Sequence, residues 1–323
     1  MDFHRVWQQQ RFGIALFLAF VIMLAEGAVQ GGKGYPGEQA LPPIYFNHAS
    51  IVVSREVYEA INHSTFVSTE FSYGGERTVT GAYSATASYT NILVLGKNTY
   101  LEIKNANSLD EQDQKRNTIL FIMSIDDRSQ LPAVSQSFER EHIQASIYTA
   151  MRTFDGHEVK WHDATGTSKW SDNPDPAHTP WFAVAAIYPG YLKAAYPDLK
   201  EGEDGTTREK YNARRYRADL LLQDITAFDI DIGSDQIPIL VAQFKAMGYT
   251  LSTAGKITTV SGPDVAFYLR TVDSEAPRSI AVHFSLNRAK EGQQVYSFQN
   301  SELRFQSDRT AIWTFPGAWR KNN

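Results

Sequence analysis

The sequence contains no cysteine among its 323 residues. This absence excludes disulfide bonds, thiolate metal sites, iron–sulfur clusters, cysteine nucleophiles and lipid attachment at a cysteine. The chain also lacks an excess of positive charge, since 31 Lys and Arg residues face 36 Asp and Glu residues and the formal net charge is −5. Binding to a phosphate backbone depends on clustered cations, so we expect no nucleic acid among the partners.

Common nucleotide and hydrolase motifs are missing as well. No GxGxxG run follows a predicted strand, and the sequence has neither a Walker loop nor a GxSxG elbow. We therefore expect no nucleotide cofactor. Apolar residues are not scarce, because 42% of the chain is hydrophobic and 12% is aromatic, which is enough to bury a core and excludes a disordered chain.

The first thirty residues have the pattern of an export signal. Gly13–Ala25 is an uncharged stretch of 13 residues, shorter than the about 20 that a membrane-spanning helix needs. It follows two arginines and leads to small residues suited to cleavage before Ala28. We expect export to the periplasm or the outside, with no stable membrane span after cleavage. A short uncleaved anchor is the alternative.

A strand, a helix and three further strands follow one another after this leader. Ile44–Val53 alternates as a strand, and Arg55–Glu70 has apolar residues at near-helical spacing, with Ser54 as its N-cap. Three strand-like runs complete the unit. The same order recurs from Thr118 and begins a third time at Ile225. The sequence therefore predicts repeated β-α-β-β-β units.

The predicted organisation has six parts. They are a signal peptide at 1–27, a flexible linker at 28–43, a first pair of units at 44–198, an acidic linker with a helix at 199–224, a third unit with an all-strand tail at 225–316, and a C-terminal tail at 317–323. Short echoes in the sequence support duplicated units. They pair Arg77-Thr78 with Arg152-Thr153, His48–Ile51 with His283–Leu286, and Asn98–Ile103 with Asn300–Phe305.

Several stretches carry a resemblance to a known family. They include Phe46-Asn47-His48, Gly96–Glu102, Tyr188–Leu192, Ser301-Glu302-Leu303 and Ala311–Phe315. These stretches make the chain similar to an uncharacterised bacterial family of glyoxalase-like proteins, which resembles the glyoxalase/bleomycin-resistance, or vicinal oxygen chelate, superfamily. The resemblance implies an α+β fold in which β-α-β-β-β units form curved mixed sheets around a central cleft. It names no reaction, because that superfamily includes isomerases, dioxygenases and plain drug binders.

The resemblance also implies a metal site. The superfamily's metal ligands lie on the first and last strands of a unit, which here maps onto His48 and Glu102. The second unit offers no equivalent pair, so His283 is a candidate replacement. These three would form a two-histidine, one-carboxylate set for a divalent metal such as Fe, Mn, Zn or Ni. The alternative is that they lie on the solvent face of antiparallel strands, where polar residues alternate by default.

Arginines and aromatic residues form a second candidate site. If the repeat holds, Arg77 and Arg152 lie on equivalent strands and could hold a carboxylate or phosphate between their guanidinium groups. Tyr89, Tyr100 and Trp181 would wall a pocket for a ring-bearing ligand. The alternatives are arginines paired at the surface and aromatic residues packed in the core.

The sequence favours an exported glyoxalase-like protein that acts on a small anionic or aromatic molecule in a cleft, with a divalent metal as Lewis acid. One alternative is an exported protein that binds a small molecule without chemistry. A second alternative is a structural or interaction module. The sequence leaves open whether the protein is an enzyme, and it does not indicate an oligomeric state.

Overall fold

The computed structural model describes residues 40–80, 88–109, 119–154, 156–166, 180–273, 278–306 and 309–319. From Leu41 onward these residues belong to one compact unit. The predicted signal peptide, most of the predicted linker and most of the predicted C-terminal tail lie outside the described residues. Within the described ranges, no helix is both long and apolar enough to cross a membrane.

The first half of the chain forms one eight-stranded sheet from two units. Its elements are β1 (Tyr45–Val53), α1 (Arg55–Asn62), β2 (Glu76–Thr80), β3 (Ser88–Leu95), β4 (Tyr100–Asn105), β5 (Leu120–Ser124), α2 (Leu131–Arg140), β6 (Tyr148–Phe154), β7 (His157–Gly166) and β8 (Trp181–Ile187). The strand order is β2-β3-β4-β1-β5-β8-β7-β6. The two units meet where β1 pairs with β5 in antiparallel fashion. Within each unit the first and last strands pair in parallel, because a helix carries the chain back between them.

Helix α1 shows how local chemistry sets an element's ends. The Ser54 side chain accepts a hydrogen bond from the Val57 N–H, which confirms the predicted N-cap. The helix ends at Asn62, earlier than the predicted Glu70, because the Ser64 hydroxyl accepts from the Val67 N–H and begins a new turn. A π-helical turn then follows at Val67–Phe71 and buries both of its end residues.

The second half forms a second eight-stranded sheet. The connection to it contains α3 (Tyr191–Ala195) and α4 (Arg208–Ala213), and the sheet's elements are β9 (Leu222–Gly233), α5 (Ile237–Ala246), β10 (Thr250–Ala254), β11 (Ile257–Ser261), β12 (Ala266–Val272), β13 (Arg278–Leu286), β14 (Val295–Phe298), β15 (Ser301–Phe305) and β16 (Thr310–Trp319). Its order is β10-β11-β12-β9-β13-β16-β15-β14. The predicted α+β class of repeated units in mixed sheets is confirmed.

The all-strand tail forms a fourth unit that lacks the helix. Residues 287–294 connect β13 to β14 without one. Three successive reversals then leave β16 antiparallel to β13, whereas β12 runs parallel to β9. The echo between Asn98–Ile103 and Asn300–Phe305 therefore does not mark equivalent places, since Glu102 lies on the last strand of its unit and Arg304 lies on the third.

A shared core fills the space between the two sheets. Phe46 of β1 and Phe228 of β9 pack with ring centroids 5.1 Å apart, and Phe121 of β5 lies 5.2 Å from Phe267 of β12. All four rings are fully buried in one cluster. Because successive side chains of a strand point to opposite faces, each sheet keeps its other face for polar and aromatic side chains.

Candidate ligand-binding site on the first sheet

The candidate site lies on the face of the first sheet that points away from the core. Ala49 and Ile51 of β1 are fully buried in the core, so His48 and Ser50 point the other way. The parallel pairing of β1 with β4 places His48 opposite Tyr100 and Ser50 opposite Glu102. Local alternation and strand register together bring these four side chains onto one face.

Glu102 is a buried carboxylate that is already balanced by cations. It is 4% exposed, it accepts a hydrogen bond from Ser50 Oγ at 2.7 Å, and it forms an ion pair with Arg77 Nη2 at 2.9 Å. Lys104 Nζ lies 3.9 Å from Glu102 Oε2, the oxygen that accepts from Ser50. Burial alone would raise the pKa of Glu102, but Lys104, Arg77 and the Ser50 hydrogen bond outweigh it and lower the pKa to about 2. The residue is therefore ionised at neutral pH.

Arg77 of β2 is held by two partners and keeps part of its fork available. Its Nε donates to Asn91 Oδ1 at 3.1 Å, and Nη2 donates to Glu102. The side chain is 39% exposed, and Nη1 makes no hydrogen bond to any of the described residues. Since a guanidinium group can bind a planar anion through parallel N–H bonds, Arg77 can still receive an acidic ligand group.

His48 carries a neutral ring that stacks on an aromatic neighbour. Its ring centroid lies 4.2 Å from that of Tyr100, with the planes nearly parallel. Burial is the main reason that its pKa falls to about 3, and the charges of Lys104 and Arg77 act in the same direction. His48 Nδ1 lies 2.8 Å from Asn47 Oδ1. This carbonyl oxygen can only accept, so Nδ1 is the protonated nitrogen and Nε2 is left as an acceptor.

The second unit completes the face with apolar and cationic groups. In the strand ladders Ile122 lies opposite His48, and Ala183 lies opposite Ile122, so these positions carry no metal-binding groups. Trp181, at the start of β8, is half-buried and pairs with Leu120. The face thus becomes apolar where it passes from the first unit to the second.

Arg152 and His162 lie farther out on this second unit. The Arg152 guanidinium lies 4.2 Å from the centre of the Trp161 ring. Burial, together with the charge of Arg152, lowers the pKa of His162 to about 4. His162 lies opposite Ile187 of β8, which shares a face with Ala183, so His162 and His48 point to the same face of the sheet. Arg77 and Arg152 therefore belong to the two halves of one sheet face.

Two further aromatic candidates lie beside the buried carboxylate. Tyr89 of β3 is buried with Leu109 and Val52, and Lys104 Nζ lies 4.2 Å from the centre of its ring. Tyr100 is buried against Leu93 and Leu95. Both rings are thus fixed by packing on the face of the sheet and do not enter the core between the sheets.

The segment that connects the two sheets lies over this face. Tyr211 of α4 packs against the Tyr100 cluster of the first unit and also against Tyr191, from which its ring centroid is 6.3 Å away. Arg208 donates to the backbone carbonyl of Phe46 and pairs with Asp264. The sequence analysis predicted a linker with a helix here but named no site residue in it, although Arg208 and Tyr211 have the spacing of one helix face.

The donor set on this face does not fit a metal. Glu102 already shares its charge with two cations, which would repel a divalent ion. His283 lies on β13 of the second sheet, where Nε2 is 3.1 Å from Asp229 Oδ2. Its neighbours Val282 and Phe284 point into the shared core, so His283 and His48 lie on opposite sides of that core. The structure therefore does not bring His48, Glu102 and His283 together.

The remaining described residues offer no alternative metal site. Among the residues that the structure describes, no group of three His, Cys, Asp or Glu side chains could hold a metal ion. A divalent metal is thus implied by the family resemblance alone, and the described residues provide no set of ligands for it.

Solved structures show limited similarity to the chain. A hypothetical protein from Staphylococcus aureus is 10% identical, with a TM-score of 0.42 over 71% of this chain and 86% of that one. Homoprotocatechuate 2,3-dioxygenase from Arthrobacter globiformis is 9% identical, with a TM-score of 0.40 over 86% and 83%. The Mn(II)-bound glyoxalase from Novosphingobium aromaticivorans is 10% identical, with a TM-score of 0.36 over 76% and 78%.

Sequence comparison assigns a family without an activity. No curated protein is significantly similar to the chain. A family model matches residues 46–315, which span both sheets. The predicted membership of an uncharacterised family is confirmed, and the chain belongs to the family of unknown function DUF5829.

Proposed function

We propose that the protein binds a small anionic, ring-bearing molecule on the outer face of its first sheet, without using a metal. The observation that carries the proposal is the arrangement of Ser50, Glu102 and Arg77. The ionised Glu102 carboxylate accepts a hydrogen bond from Ser50 and holds the Arg77 guanidinium group in place, and part of that group is still available to a ligand. Holding the guanidinium in place in advance reduces the entropy lost when it binds an anion.

The surroundings of Arg77 support an anionic ligand with a ring. Lys104, Arg152 and Arg215 add positive charge from β4, β6 and the connecting segment, and the latter two lie near aromatic rings. Tyr211 and Trp161 are only partly buried and supply aromatic surface on which a ring of the ligand can pack. A largely apolar wall with a few polar groups is typical of small-molecule sites.

The acid–base properties of His48 favour binding over catalysis. An efficient general base has a pKa near the working pH. Because the pKa of His48 is about 3, its ring is a weak base at neutral pH, although Nε2 can accept a hydrogen bond from a ligand. This supports the non-catalytic alternative.

The proposal is tested by titrating the protein with benzoate, acetate and benzyl alcohol and measuring heat and thermal stability. We expect benzoate to bind and raise Tm, and the other two, which lack either the ring or the charge, to bind at least tenfold more weakly. Arg77→Gln should lose the benzoate effect. Arg304→Gln is the matched control, because Arg304 pairs with Glu302 at the surface of the second sheet. Equal behaviour of the two variants, or no benzoate binding at all, would overturn the proposal.

We also propose that the protein is exported. The support is the uncharged stretch Gly13–Ala25 after two arginines. N-terminal sequencing of the protein from a periplasmic or culture-medium fraction should begin at Ala28. Recovery of the full-length chain from the cytoplasm would contradict this.

A further inference from the structure

The outer face of the second sheet carries a carboxylate that no lysine or arginine of the described structure neutralises. The Asp229 side chain on β9 is 38% exposed, and its partner at ion-pair distance is His283, whose Nε2 lies 3.1 Å from Asp229 Oδ2. This contact lacks hydrogen-bond geometry, since Nε2 has no hydrogen-bond partner among the described residues. An imidazole is also charged only when it is protonated. Asp229 therefore presents an accessible negative charge with unused acceptor positions.

Neighbouring carboxylates of the same face are paired within the sheet. Asp231, two residues further along β9, forms an ion pair with Arg270 at 2.9 Å. Glu302 of β15 pairs with Arg304 at 2.7 Å. Both carboxylates are balanced by an arginine of the sheet itself. The unbalanced charge of Asp229 is therefore particular to its position and not a general property of the face.

An exposed aromatic ring lies beside this carboxylate. The parallel pairing of β12 with β9 places Tyr268 opposite Asp229. Phe267 and Leu269 are fully buried in the core, so Tyr268 between them points to the outer face. Its side chain is 38% exposed, and its ring centroid lies 6.4 Å from that of His283. The three side chains thus form one patch that a dissolved ligand can reach.

Small and apolar side chains surround this patch. In the pairing of β13 with β9, Ala281 lies opposite Asp229 and Ala227 lies opposite His283. Ile312 of β16, which is half-buried, lies opposite His283 on the other side. The alanines leave the carboxylate open from the side, and the isoleucine adds apolar surface. An anion, an aromatic ring and an apolar border suit a cation that is attached to an apolar group.

The first sheet has a similar pair with the opposite charge preference. There His48 of β1 stacks on Tyr100 of β4, and Tyr211 of α4 packs against the buried tyrosine. On the second sheet the tyrosine opposite β9 is exposed, and it faces a carboxylate instead of a neutral histidine. The outer faces of the two sheets are therefore suited to ligands of opposite charge.

We propose that Asp229 and Tyr268 form a second binding site, for a small organic ammonium ion with an apolar body. Asp229 accepts charge-assisted hydrogen bonds from the ammonium N–H groups. The exposed face of the Tyr268 ring attracts the positive charge, and Ile312 contacts the apolar body. His283 packs beside Asp229 and positions its carboxylate. The site lies across the core from Arg77 and does not depend on the proposed function.

The first experiment titrates the purified protein with benzylammonium, benzyl alcohol and methylammonium in a calorimeter. Low salt limits screening, and a slightly alkaline pH keeps an imidazole of ordinary pKa neutral. Benzylammonium should bind at least about tenfold more tightly than benzyl alcohol, which lacks the charge, and more tightly than methylammonium, which lacks the ring. Equal affinity for benzylammonium and benzyl alcohol, or no binding of benzylammonium, would overturn the proposal.

The second experiment compares variants of nearly equal shape. Asp229→Asn should weaken benzylammonium at least about tenfold, because it removes a charged acceptor. Glu302→Gln is the matched control on the same face and should leave the affinity unchanged, because that carboxylate is already paired with Arg304. Tyr268→Leu should weaken binding about threefold, whereas Tyr268→Phe, which keeps the ring, should not. Equal effects of Asp229→Asn and Glu302→Gln would show that Asp229 is not the site.

The two sites can be separated by exchanging probes. Arg77→Gln should lose the benzoate effect and keep benzylammonium affinity, and Asp229→Asn should do the reverse. Loss of benzylammonium binding in Arg77→Gln would place the cation on the first sheet and reject the second site. If benzoate does not bind at all, the proposed function fails, while benzylammonium and Asp229→Asn still decide the second site.

Discussion

Ser50 and Glu102 face one another across the parallel pair of β1 and β4, and the Ser50 hydroxyl donates to the Glu102 carboxylate at 2.7 Å. This bond fixes one oxygen of the carboxylate, and Arg77 holds the other at 2.9 Å. The result is a buried ion pair that spans β1, β2 and β4. Because both of its oxygens are already bonded, the Glu102 carboxylate positions Arg77 and is not available as a metal ligand.

Removing the Glu102 carboxylate should destabilise the folded protein. Glu102→Ala removes the buried counter-charge of the Arg77 guanidinium and the acceptor of the Ser50 hydroxyl, so we expect a loss of about 3–5 kcal/mol in the free energy of unfolding. Urea denaturation measures it. Glu302→Ala, which breaks an exposed pair with Arg304, should change stability by less than about 1 kcal/mol. Similar losses in both variants would contradict the arrangement.

Stability should fall as the pH is lowered from about 6.5. The pKa of His48 is 6.5 in its ordinary state and about 3 in the fold, so between these values the unfolded chain binds a proton that the folded chain does not. The free energy of unfolding therefore decreases as pH falls through this window, and Glu102 adds a further decrease from about pH 4.5 toward 2. His48→Gln should flatten the dependence between pH 7 and 5, whereas the exposed His63→Gln should not. A parallel dependence in both variants would disprove the burial of a neutral His48.

Asp224 should be required for docking the two sheets. Its Oδ1 accepts from the backbone N–H groups of Asn98 and Thr99 at 2.7 and 3.0 Å, and its Oδ2 accepts from the Asn98 amide. Asp224→Ala leaves these donors unpaired, and we expect a loss of at least about 2 kcal/mol in chemical denaturation. Asp219→Ala, at an exposed pair with Arg217, is the control and should leave the midpoint unchanged. An unchanged midpoint in both would argue against this contact.

The shared core predicts that both sheets unfold together. Phe121 is fully buried and packs on Phe228 and Phe267 of the other sheet at 5.0 and 5.2 Å. Phe121→Ala should cost about 3–5 kcal/mol and retain a single transition in calorimetry. Two separate transitions would show that the sheets are independent domains.

Metal content distinguishes the binding function from a metalloenzyme. We expect plasma mass spectrometry of the purified protein to find no stoichiometric Fe, Mn, Zn or Ni, because Glu102 is balanced by Arg77 and Lys104. Adding these ions should leave Tm unchanged. Near-stoichiometric metal that disappears in His48→Ala would reverse the conclusion and favour a metal-dependent activity.

Several features of the site follow from patterns within a few residues. The period of two along a strand predicts that Tyr100, Glu102 and Lys104 share a face, and the structure places them so. The N-cap at Ser54 could be predicted because its side chain bonds the N–H of a residue only one turn further along the chain. The repeated strand–helix order was also visible, because each element is defined by its own periodicity.

Other features depend on contacts between distant segments. The fourth unit has no helix, so its last strand, β16, runs antiparallel to its first strand, β13. No local sequence pattern indicates which strand β16 will pair with. The placement of Tyr211 over the first sheet depends on where the second sheet docks. From the sequence alone, residues 199–224 are predicted only as an acidic linker with a helix.

The sequence by itself determined which side chains alternate along each strand, and therefore which polar groups could share a face with His48 and Glu102. Only the tertiary structure decided that Ser50 lies opposite Glu102, that His283 lies beyond the core on the other sheet, and that α4 covers the site. The reason is physical. Side-chain direction follows from backbone geometry over neighbouring residues, whereas strand register and sheet membership are set by burial of apolar surface far apart in the chain.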